Sequence, residues 1–421
     1  MRGPRAAWGA LTGTERVVSL VLVVGAVGLL AAMVAGVLQP TYFLFLFGLG
    51  GMFALLSLGL NAQWGYTGLI NFSVAAFFGA GAYGAALTTA GNSPLAGGLP
   101  TLLGLVVALV VAAVVAVAIG LPTLRLRADY FAIATLGLAE VLRTLVRNQR
   151  SVTGGNRGLR NIPTFFEGWP LLGGLPRTLP TVTFEVVAGS PVALSTSFYQ
   201  QLLNVVLILG LLAGGFSVLR RAHRSPWGRV LRTIRADEDL AKALGKDTYR
   251  FKLQSFVLGS LLAALAGVFF AHLQQFVDPG TFDPITTFYV WVAVILGGSG
   301  SNRGALFGGF VIVAVREGPR FLLGWLTGIL ESVGRALSAL GSGGLAGRLQ
   351  RFIAYLIEVI GGLDAAALRL VLVGLLIVVL MRLRPEGVLP PQRELIWPNA
   401  VERTPERPEA AVREARGEAD E

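Results

Sequence analysis

The most constraining feature of the sequence is a long block without charge. Between Arg16 and Arg125 no Asp, Glu, Lys or Arg occurs, which leaves 108 consecutive uncharged positions. A membrane-spanning helix needs roughly 20 apolar residues, so this block alone has room for about four spans. Only 14% of the 421 residues are charged, against about 25% in a soluble domain. A purely soluble protein is therefore excluded.

The remaining composition excludes several kinds of chemistry. The net charge of +11 does not indicate nucleic-acid binding, because the basic residues gather at the ends of apolar segments, where membrane topology places them. The chain has no Cys, which excludes disulfides and thiol nucleophiles. Two His residues, His223 and His272, are too few for a multi-histidine metal site. We therefore expect no metal, no cofactor and no enzymatic activity in this chain.

The spacing of the apolar segments predicts an all-α polytopic membrane protein with about ten transmembrane helices, some of them short or broken. The fifth segment carries Glu140, Arg143 and Arg147, so a short span and a re-entrant helix both remain open. The first exceeds the length of a signal-peptide core, about 7–15 residues, which favours an uncleaved span. The segments lie at about 17–38, 42–62, 68–90, 101–122, 130–147, 200–219, 253–276, 286–297, 304–316 and 365–381.

The distribution of Lys and Arg predicts the orientation. It places the protein in the inner membrane with both termini in the cytoplasm. The arginines from Arg143 to Arg160 then lie outside, against the rule. The expected regions are a cytoplasmic N-terminus (1–16), a transmembrane core (17–316) with an outer loop (151–198) and a cytoplasmic loop (220–252), an amphipathic insertion (317–364), a last transmembrane helix (365–384) and a disordered cytoplasmic tail (385–421).

The insertion mixes apolar residues with charges on either side of a Gly-rich stretch at 341–344. Glu331 and Arg335 are spaced i,i+4 with the acid first, as helices prefer. This pattern is typical of two amphipathic helices lying on the membrane surface. A single further span, bent at the glycines, is the alternative.

The charged stretch from Arg220 to Lys252 holds ten Lys or Arg against four acids. Asp237, Glu238 and Asp239 are expected at the N-terminus of a short helix, where the helix dipole favours acids, and Gly245 at its left-handed end. Two interpretations stay open, a docking element for a soluble partner and a solvated loop that only obeys the topology rule. The run from Gly245 lacks the spacing of a phosphate-binding loop, so the chain does not bind ATP there.

A stretch dense in small residues, 68–89, also has two interpretations. Small side chains let helix backbones approach closely, and helix packing explains them without a special role. Alternatively, this face borders a path through the membrane, with Asn71, Ser73 and Tyr83 as its polar groups. Glu140 is a functional candidate because it is ionisable at membrane depth, but pairing with Arg143 or Arg147 is a structural alternative.

Six stretches in order along the chain resemble the LivM-type permease subunit of branched-chain amino acid ABC importers. The resemblance covers roughly 50–316 and 365–390 and departs from the family pattern at Ala128, where a Gly is usual. The insertion and the tail inherit nothing from it. The matching stretches are FFGAGAY (77–83), LRADYFAIATLGLAE (126–140), TGGNRGL (153–159), GRVLRTIRADEDLAKALGKDTYRFK (228–252), GGSGSNRGALFG (297–308) and RPEGVLP (384–390).

The resemblance implies a cytoplasmic coupling helix within 228–252 that docks on a separate ATPase. It also implies as partners a homologous permease, two ATPase subunits, an extracytoplasmic substrate-binding protein and the lipid bilayer. The coupling residues expected are Arg229, Arg232, Arg235, Asp237, Glu238, Asp239, Ala241, Lys242, Ala243 and Gly245. The residues expected along the translocation path are Asn71, Ser73, Gly79, Gly81, Tyr83, Thr135, Glu140, Gly297 and Gly298.

Branched-chain or other hydrophobic amino acids are the expected cargo, because a path with few charges suits an apolar zwitterion. Close relatives move urea or short amides, so these remain an alternative. An ion-coupled secondary transporter is the alternative from another class. It usually needs carboxylates within the membrane, and the uncharged block offers none in the first four segments.

Overall fold

The computed structural model describes residues 39–95, 97–185, 191–339, 344–362 and 364–391. The predicted first span at 17–38, the segment before it and the predicted tail beyond residue 391 lie outside the described residues. Within the described part the fold is mostly helical, as the sequence predicts.

Fourteen α-helices make up this part of the chain. They are α1 (Pro40–Leu60), α2 (Val74–Thr89), α3 (Thr101–Thr123), α4 (Ala128–Asn148), α5 (Arg150–Thr153), α6 (Leu175–Thr178), α7 (Thr196–Arg224), α8 (Pro226–Ala236), α9 (Glu238–Ala243), α10 (Thr248–Gln274), α11 (Pro284–Gly297), α12 (Asn302–Ala339), α13 (Gly344–Gly361) and α14 (Ala365–Leu383). A π-helical turn, Asn61–Gly65, extends α1, and 3₁₀ turns occupy Gly155–Arg157 and Pro279–Phe282.

Two small antiparallel sheets are added to the helices. Strand β1 (Leu159–Arg160) pairs with β4 (Phe276–Val277), with Leu159 opposite Val277. Strand β2 (Val182–Glu185) pairs with β3 (Pro191–Leu194). Three of these strands lie within the predicted outer loop, which is therefore more ordered than its Gly- and Pro-rich sequence indicates. The predicted all-α class is therefore corrected only by the addition of these two small sheets.

Five helices of the described part are long and apolar enough to cross a membrane. They are Pro40–Gly65, Thr101–Thr123, Thr196–Arg224, Thr248–Gln274 and Ala366–Leu383. The first and fourth are mostly buried in the bundle, whereas the other three present most of their residues outward. Outward apolar faces suit contact with lipid, so these helices indicate a multi-pass membrane protein.

The third predicted segment, 68–90, is shorter as a helix than the sequence indicates. Helix α2 begins only at Val74, because the preceding residues make side-chain bonds in place of a helical ladder. Gly68 has φ +74°, and the Asn71 Oδ1 accepts a hydrogen bond of 2.8 Å from the Ser73 backbone N–H. The chain from Asn61 to Ser73 is therefore a π-helical turn followed by a non-helical stretch, and we call it the first break.

The ninth predicted segment, 304–316, is longer than the sequence indicates. Helix α12 runs without interruption to Ala339, so the first half of the predicted insertion continues a membrane segment. The charges at its expected end do not stop it, because Glu317 pairs with Arg316 and with Arg320 along the same helix. Helix α13 then packs back on α12, where Ile353 lies 3.7 Å from the position of a Cβ at Gly334.

The helices meet at two ends of the bundle. At the end we call the basic end, Tyr249 donates a 2.7 Å hydrogen bond to the Leu121 carbonyl, and the Val388 N–H bonds to the Leu296 carbonyl. At the other end, which we call the sheet end, β1 pairs with β4 and the Thr101 hydroxyl donates to the Phe165 carbonyl at 2.7 Å. The charged stretch from Ser225 to Asp247 lies at the basic end.

Candidate functional site

The charged stretch forms two short helices with defined ends. Ser225 caps α8 by accepting from the Gly228 N–H, and Asp237 caps α9 by accepting from the Leu240 N–H at 2.9 Å. Gly245 has φ +74°, and the Lys246 N–H bonds back to the Ala241 carbonyl, which is the bond pattern of a Schellman end. The predicted acidic N-terminus and left-handed Gly of the second helix are confirmed.

Glu238 fastens the second short helix to α10. Its carboxylate accepts from the Thr248 hydroxyl at 3.1 Å and from the Lys252 ammonium, and Lys242 lies 3.4 Å away. Burial raises the pKa of the Glu238 carboxyl, but the hydrogen bond and charge of Lys252, with Thr248 and Lys242, hold it below its ordinary value. Glu238 is thus an internal anchor.

The two helices separate their apolar residues between an inner and an outer face. Leu231, Ile234 and Ala241 are buried against the bundle. Leu240 and Leu244 are 51% and 64% exposed, one turn apart on the outer face. We call this outward pair the leucine pair. It was not among the expected coupling residues, because its exposure depends on the break at Asp237, which redirects the second helix.

Charged residues surround the leucine pair. Asp239 is 95% exposed and lies 3.4 Å from the Lys242 ammonium. Arg229 and Ala243 are also exposed. The outer face therefore combines apolar area with charges of both signs.

Two arginines expected on this outer face instead reach into the bundle. Arg235 donates from Nη1 to the Gly65 carbonyl and from Nη2 to the Ser299 hydroxyl at 3.2 Å. Arg232 donates to His223 Nε2 at 3.1 Å, and the His223 ring stacks on Tyr66 with ring centroids 4.7 Å apart.

The first break meets a second break, the loop 298–301 between α11 and α12. Asn61 accepts from the Gly300 N–H at 2.7 Å and donates to Asn302 Oδ1 at 3.0 Å. Tyr66 donates to the same oxygen at 2.6 Å. We call this contact between the two breaks the junction.

The expected path residues Asn71, Ser73 and Thr135 come together just inside the junction. Asn71 accepts from the Ser73 hydroxyl at 2.6 Å and donates to Gln63 Oε1 at 2.8 Å. Thr135 accepts from the Phe72 N–H at 3.1 Å. All three expected residues are fully buried, so they form a closed polar network.

Other expected path residues border a cavity nearer the sheet end. Gly79, Tyr83 and Phe282 line a cavity of about 450 Å³ including its open mouth, together with Arg143. Tyr83 is 4% exposed, and its hydroxyl has no hydrogen-bond partner among the described residues.

Glu140 reaches this cavity through its partner. Arg143 binds the Glu140 carboxylate through two nitrogens, at 2.9 and 2.8 Å, and lies 3.4 Å from Asp283. The expected pairing of Glu140 with Arg143 is confirmed.

The remaining three expected path residues are packed against backbone. A Cβ at Gly81 would stand 2.0 Å from the Ala264 carbonyl oxygen, and a Cβ at Gly297 would stand 1.9 Å from that of Gly304. Gly298 has φ +108° and lies against the chain near Leu389. Close backbone contacts, and at Gly298 the positive φ, therefore restrict these three positions to Gly.

Sequence reasoning missed a charged cluster within the bundle. Glu317 is 8% exposed, Arg316 lies over the Phe53 ring at 5.5 Å, and the Arg369 Nε is buried without a hydrogen-bond partner in the described part. The signal was available, since Arg316 and Glu317 stand at the end of an apolar segment, but the predicted core ends between them and Glu317 was assigned to the insertion.

The fold and these sites define a multi-pass membrane protein with a structured element at its basic end, and the described residues hold no cluster of His, Cys, Asp or Glu that could bind a metal. The family described as "Branched-chain amino acid transport system / permease component" matches residues 42–340. The chain therefore belongs to this family of transport permeases.

Individual relatives agree with the family. The chain is 35% identical over 274 residues to the "High-affinity branched-chain amino acid transport system permease protein LivM" of Salmonella typhimurium, and 34% identical over 271 residues to that of Escherichia coli K12, in each case over 63% of this chain and 61% of the relative. The LivH permease protein of Escherichia coli K12 is 26% identical over 269 residues, covering 63% of this chain and 80% of LivH. The higher identity to LivM confirms the expected LivM type.

The chain spans about three fifths of the length of these two LivM relatives. No solved structure matches it.

Proposed function

We propose that this chain is a permease subunit of an ABC importer, and that it forms a translocation path together with a homologous permease. Two separate ATPase subunits would drive it, and an extracytoplasmic binding protein would deliver the cargo. The observation that carries the proposal is the leucine pair, an exposed apolar surface on a short helix fixed at both ends. The names of the LivM and LivH relatives support the permease pairing.

The leucine pair is the proposed docking site for an ATPase. A soluble partner must recognise a surface that keeps its shape, and the Asp237 cap, the Glu238 anchor and the Gly245 end hold this one in place. Burial of exposed Leu side chains would supply affinity, while Arg229, Asp239 and Lys242 would orient the partner. Ala243 belongs to the same outer surface.

Ten spans with both termini in the cytoplasm remain our proposal for the topology. The nine helices that we propose as spans in the described part are α1 to α4, α7, α10, α11, α12 and α14, and the segment 17–38 would be the tenth. Helix α4 begins at the basic end, after Arg127, and ends beside β1, which favours a span over a re-entrant segment. Lys and Arg are abundant at the basic end, which supports a cytoplasmic side there and an inner-membrane location.

The cavity beside Tyr83 is the proposed part of the path that this chain contributes. Its walls are largely apolar, which suits a branched-chain or other hydrophobic side chain. Arg143, Glu140 and Asp283 at its edge carry both signs of charge, which suits the two charged ends of an amino acid. Urea or a short amide would not use these charges and is the second candidate cargo.

Replacement of Leu240 and Leu244 by Asp tests the proposal. The double variant should lose co-purification with the ATPase subunits of the importer and should lose ATP-driven leucine uptake in proteoliposomes. Leu171 is 86% exposed at the sheet end, so Leu171→Asp serves as a matched control for assembly. Full assembly and uptake in the double variant would rule out docking at the leucine pair, and uptake by this chain alone under an ion gradient would favour a secondary transporter.

A further inference from the structure

We infer that Arg235 is a positioning residue that carries movement of the coupling segment into the junction, and not a residue that contacts the ATPase. This inference rests on the proposed function and names a specific linkage within it. The residue stands one turn before the leucine-bearing helix, so sequence alone places it with the docking residues. Its guanidinium instead bonds to the bundle and joins two separate chain segments, although the residue as a whole is exposed.

The first observation is the position of the two acceptors. Gly65 ends the π-helical turn of the first break, and Ser299 lies in the second break. A cation beside the C-terminal carbonyls of a helix is favoured by the helix dipole. A guanidinium is also rigid and planar, so one side chain can hold two acceptors at a fixed separation, which the single ammonium of Lys does not do.

The second observation is that little space separates the two breaks beneath Arg235. A Cβ at Gly65 would stand 2.1 Å from Asn61 Oδ1 and 2.7 Å from the Gly300 nitrogen, and Asn61 already binds that nitrogen. Gly300 has φ +87°. The breaks therefore move as one unit or separate altogether, and Arg235 bonds to both.

The third observation is a second connection from the same helix face. Arg232, one turn before Arg235, binds His223, which stacks on Tyr66. Tyr66 donates to Asn302, the first residue of α12. Two side chains of α8 are thus linked to the same junction, Arg235 directly and Arg232 through His223 and Tyr66.

The consequence is a direct mechanical route to the buried polar network. Gln63, two residues before Gly65, donates to the Phe256 carbonyl at 2.8 Å and accepts from Asn71. A displacement of α8 toward or away from the bundle shifts the Gly65 carbonyl, and with it the residues that close the polar network around Asn71. Arg235 therefore couples docking at the surface to opening at the junction.

The test compares Arg235→Met with Arg235→Lys in the reconstituted transporter. Met keeps an unbranched apolar chain and removes the charge and the donors, whereas Lys keeps the charge and reaches one acceptor at a time. We expect Arg235→Met to assemble normally and to hydrolyse ATP, but to import at least tenfold less leucine per ATP, with partial recovery in Arg235→Lys. Arg221→Met, at an exposed position near the end of α7, is the matched control and should match the unmodified protein.

Each outcome decides between the alternatives. Loss of ATPase binding in Arg235→Met would make Arg235 a docking residue and overturn the inference, as would an unchanged ratio of import to hydrolysis. Failure of the unmodified complex to import leucine with ATP would instead overturn the proposed function. In that event, hydrogen exchange on the purified chain still tests the linkage, because Arg235→Met should speed exchange of the Gly65–Gly68 and Gly298–Ser301 amides at least tenfold, and unchanged exchange would refute it.

Discussion

Replacement of Gly81 by Ala separates helix packing from a role in the translocation path. The new Cβ would stand 2.0 Å from the carbonyl oxygen and 2.6 Å from the Cα of Ala264, whereas ordinary contacts begin at 3.4 Å. The obstacle is the backbone of α10, which cannot rotate aside as a side chain can. Helices α2 and α10 must therefore move apart over part of their length.

The size of the effect follows from two opposing contributions. An extra carbon in a well-packed interior costs about 1–3 kcal/mol, while Ala in place of Gly within a helix returns about 1 kcal/mol. Because backbone blocks the new Cβ, we expect the upper part of the first range and a net loss of roughly 1–2 kcal/mol. Thermal unfolding of the purified chain in detergent measures it as a fall in Tm.

Gly210 provides the matched control. It lies within α7 and has no atom within 4 Å of the position of a Cβ. Gly210→Ala should therefore keep the free energy of unfolding or raise it by up to about 1 kcal/mol, with an unchanged or higher Tm. An unchanged Tm in Gly81→Ala would refute the packing argument. If leucine uptake then fell in Gly81→Ala without a loss of stability, Gly81 would belong to the path.

Three further predictions concern the anchor, the polar network and the cavity. Glu238→Gln should speed hydrogen exchange at residues 238–248, because Lys252 loses the carboxylate that it binds. Since the pKa of Glu238 is lowered in the fold, the stabilisation from this ion pair is complete above the ordinary Glu pKa and disappears as pH falls through the lowered value. Exchange in the unmodified chain should therefore approach that of the variant only in acid. Gln63→Leu should lower the free energy of unfolding by about 1–3 kcal/mol, and with it Tm, because the buried Asn71 amide loses its acceptor. A Tm equal to that of the unmodified chain would contradict the network. Tyr83→Phe should leave Tm unchanged, since its hydroxyl has no partner in the described part, and should raise the KM for leucine uptake; an unchanged KM would remove Tyr83 from the path.

The local structure of the coupling segment could be read from its sequence. The acids at its helix start and the Gly at its end act through neighbours only three to five residues away, so their spacing is sufficient. The exposure of Leu240 and the inward direction of Arg235 depend on how α9 turns at Asp237 and on what lies beneath it, which spacing along the chain does not encode.

The junction was invisible to sequence reasoning for a related reason. Residues 63–67 read as a turn between two apolar spans and residues 68–73 as the start of the second span, whereas their actual structure depends on partners far along the chain. Asn61 bonds to Gly300 and Asn302, 239 and 241 positions away. Glu317 was missed because a charge near the end of an apolar run is ordinarily at the membrane surface, whereas here it is buried beside the half-buried Arg316.

The length of helix α12 makes a small tilt at one end a large displacement at the other. At 1.5 Å per residue, its 38 residues extend about 57 Å, nearly twice the roughly 30 Å hydrocarbon thickness of a bilayer. Its first residue sits at the junction, in contact with Asn61 and Tyr66. A tilt of only about 10° about that point would carry the far end of a straight helix of this length sideways by about 10 Å, and Pro319 within α12 is the position where the helix can bend. Small angular changes of α12 at the basic end thus become displacements of the α12–α13 hairpin that are large enough to follow with a pair of distance probes.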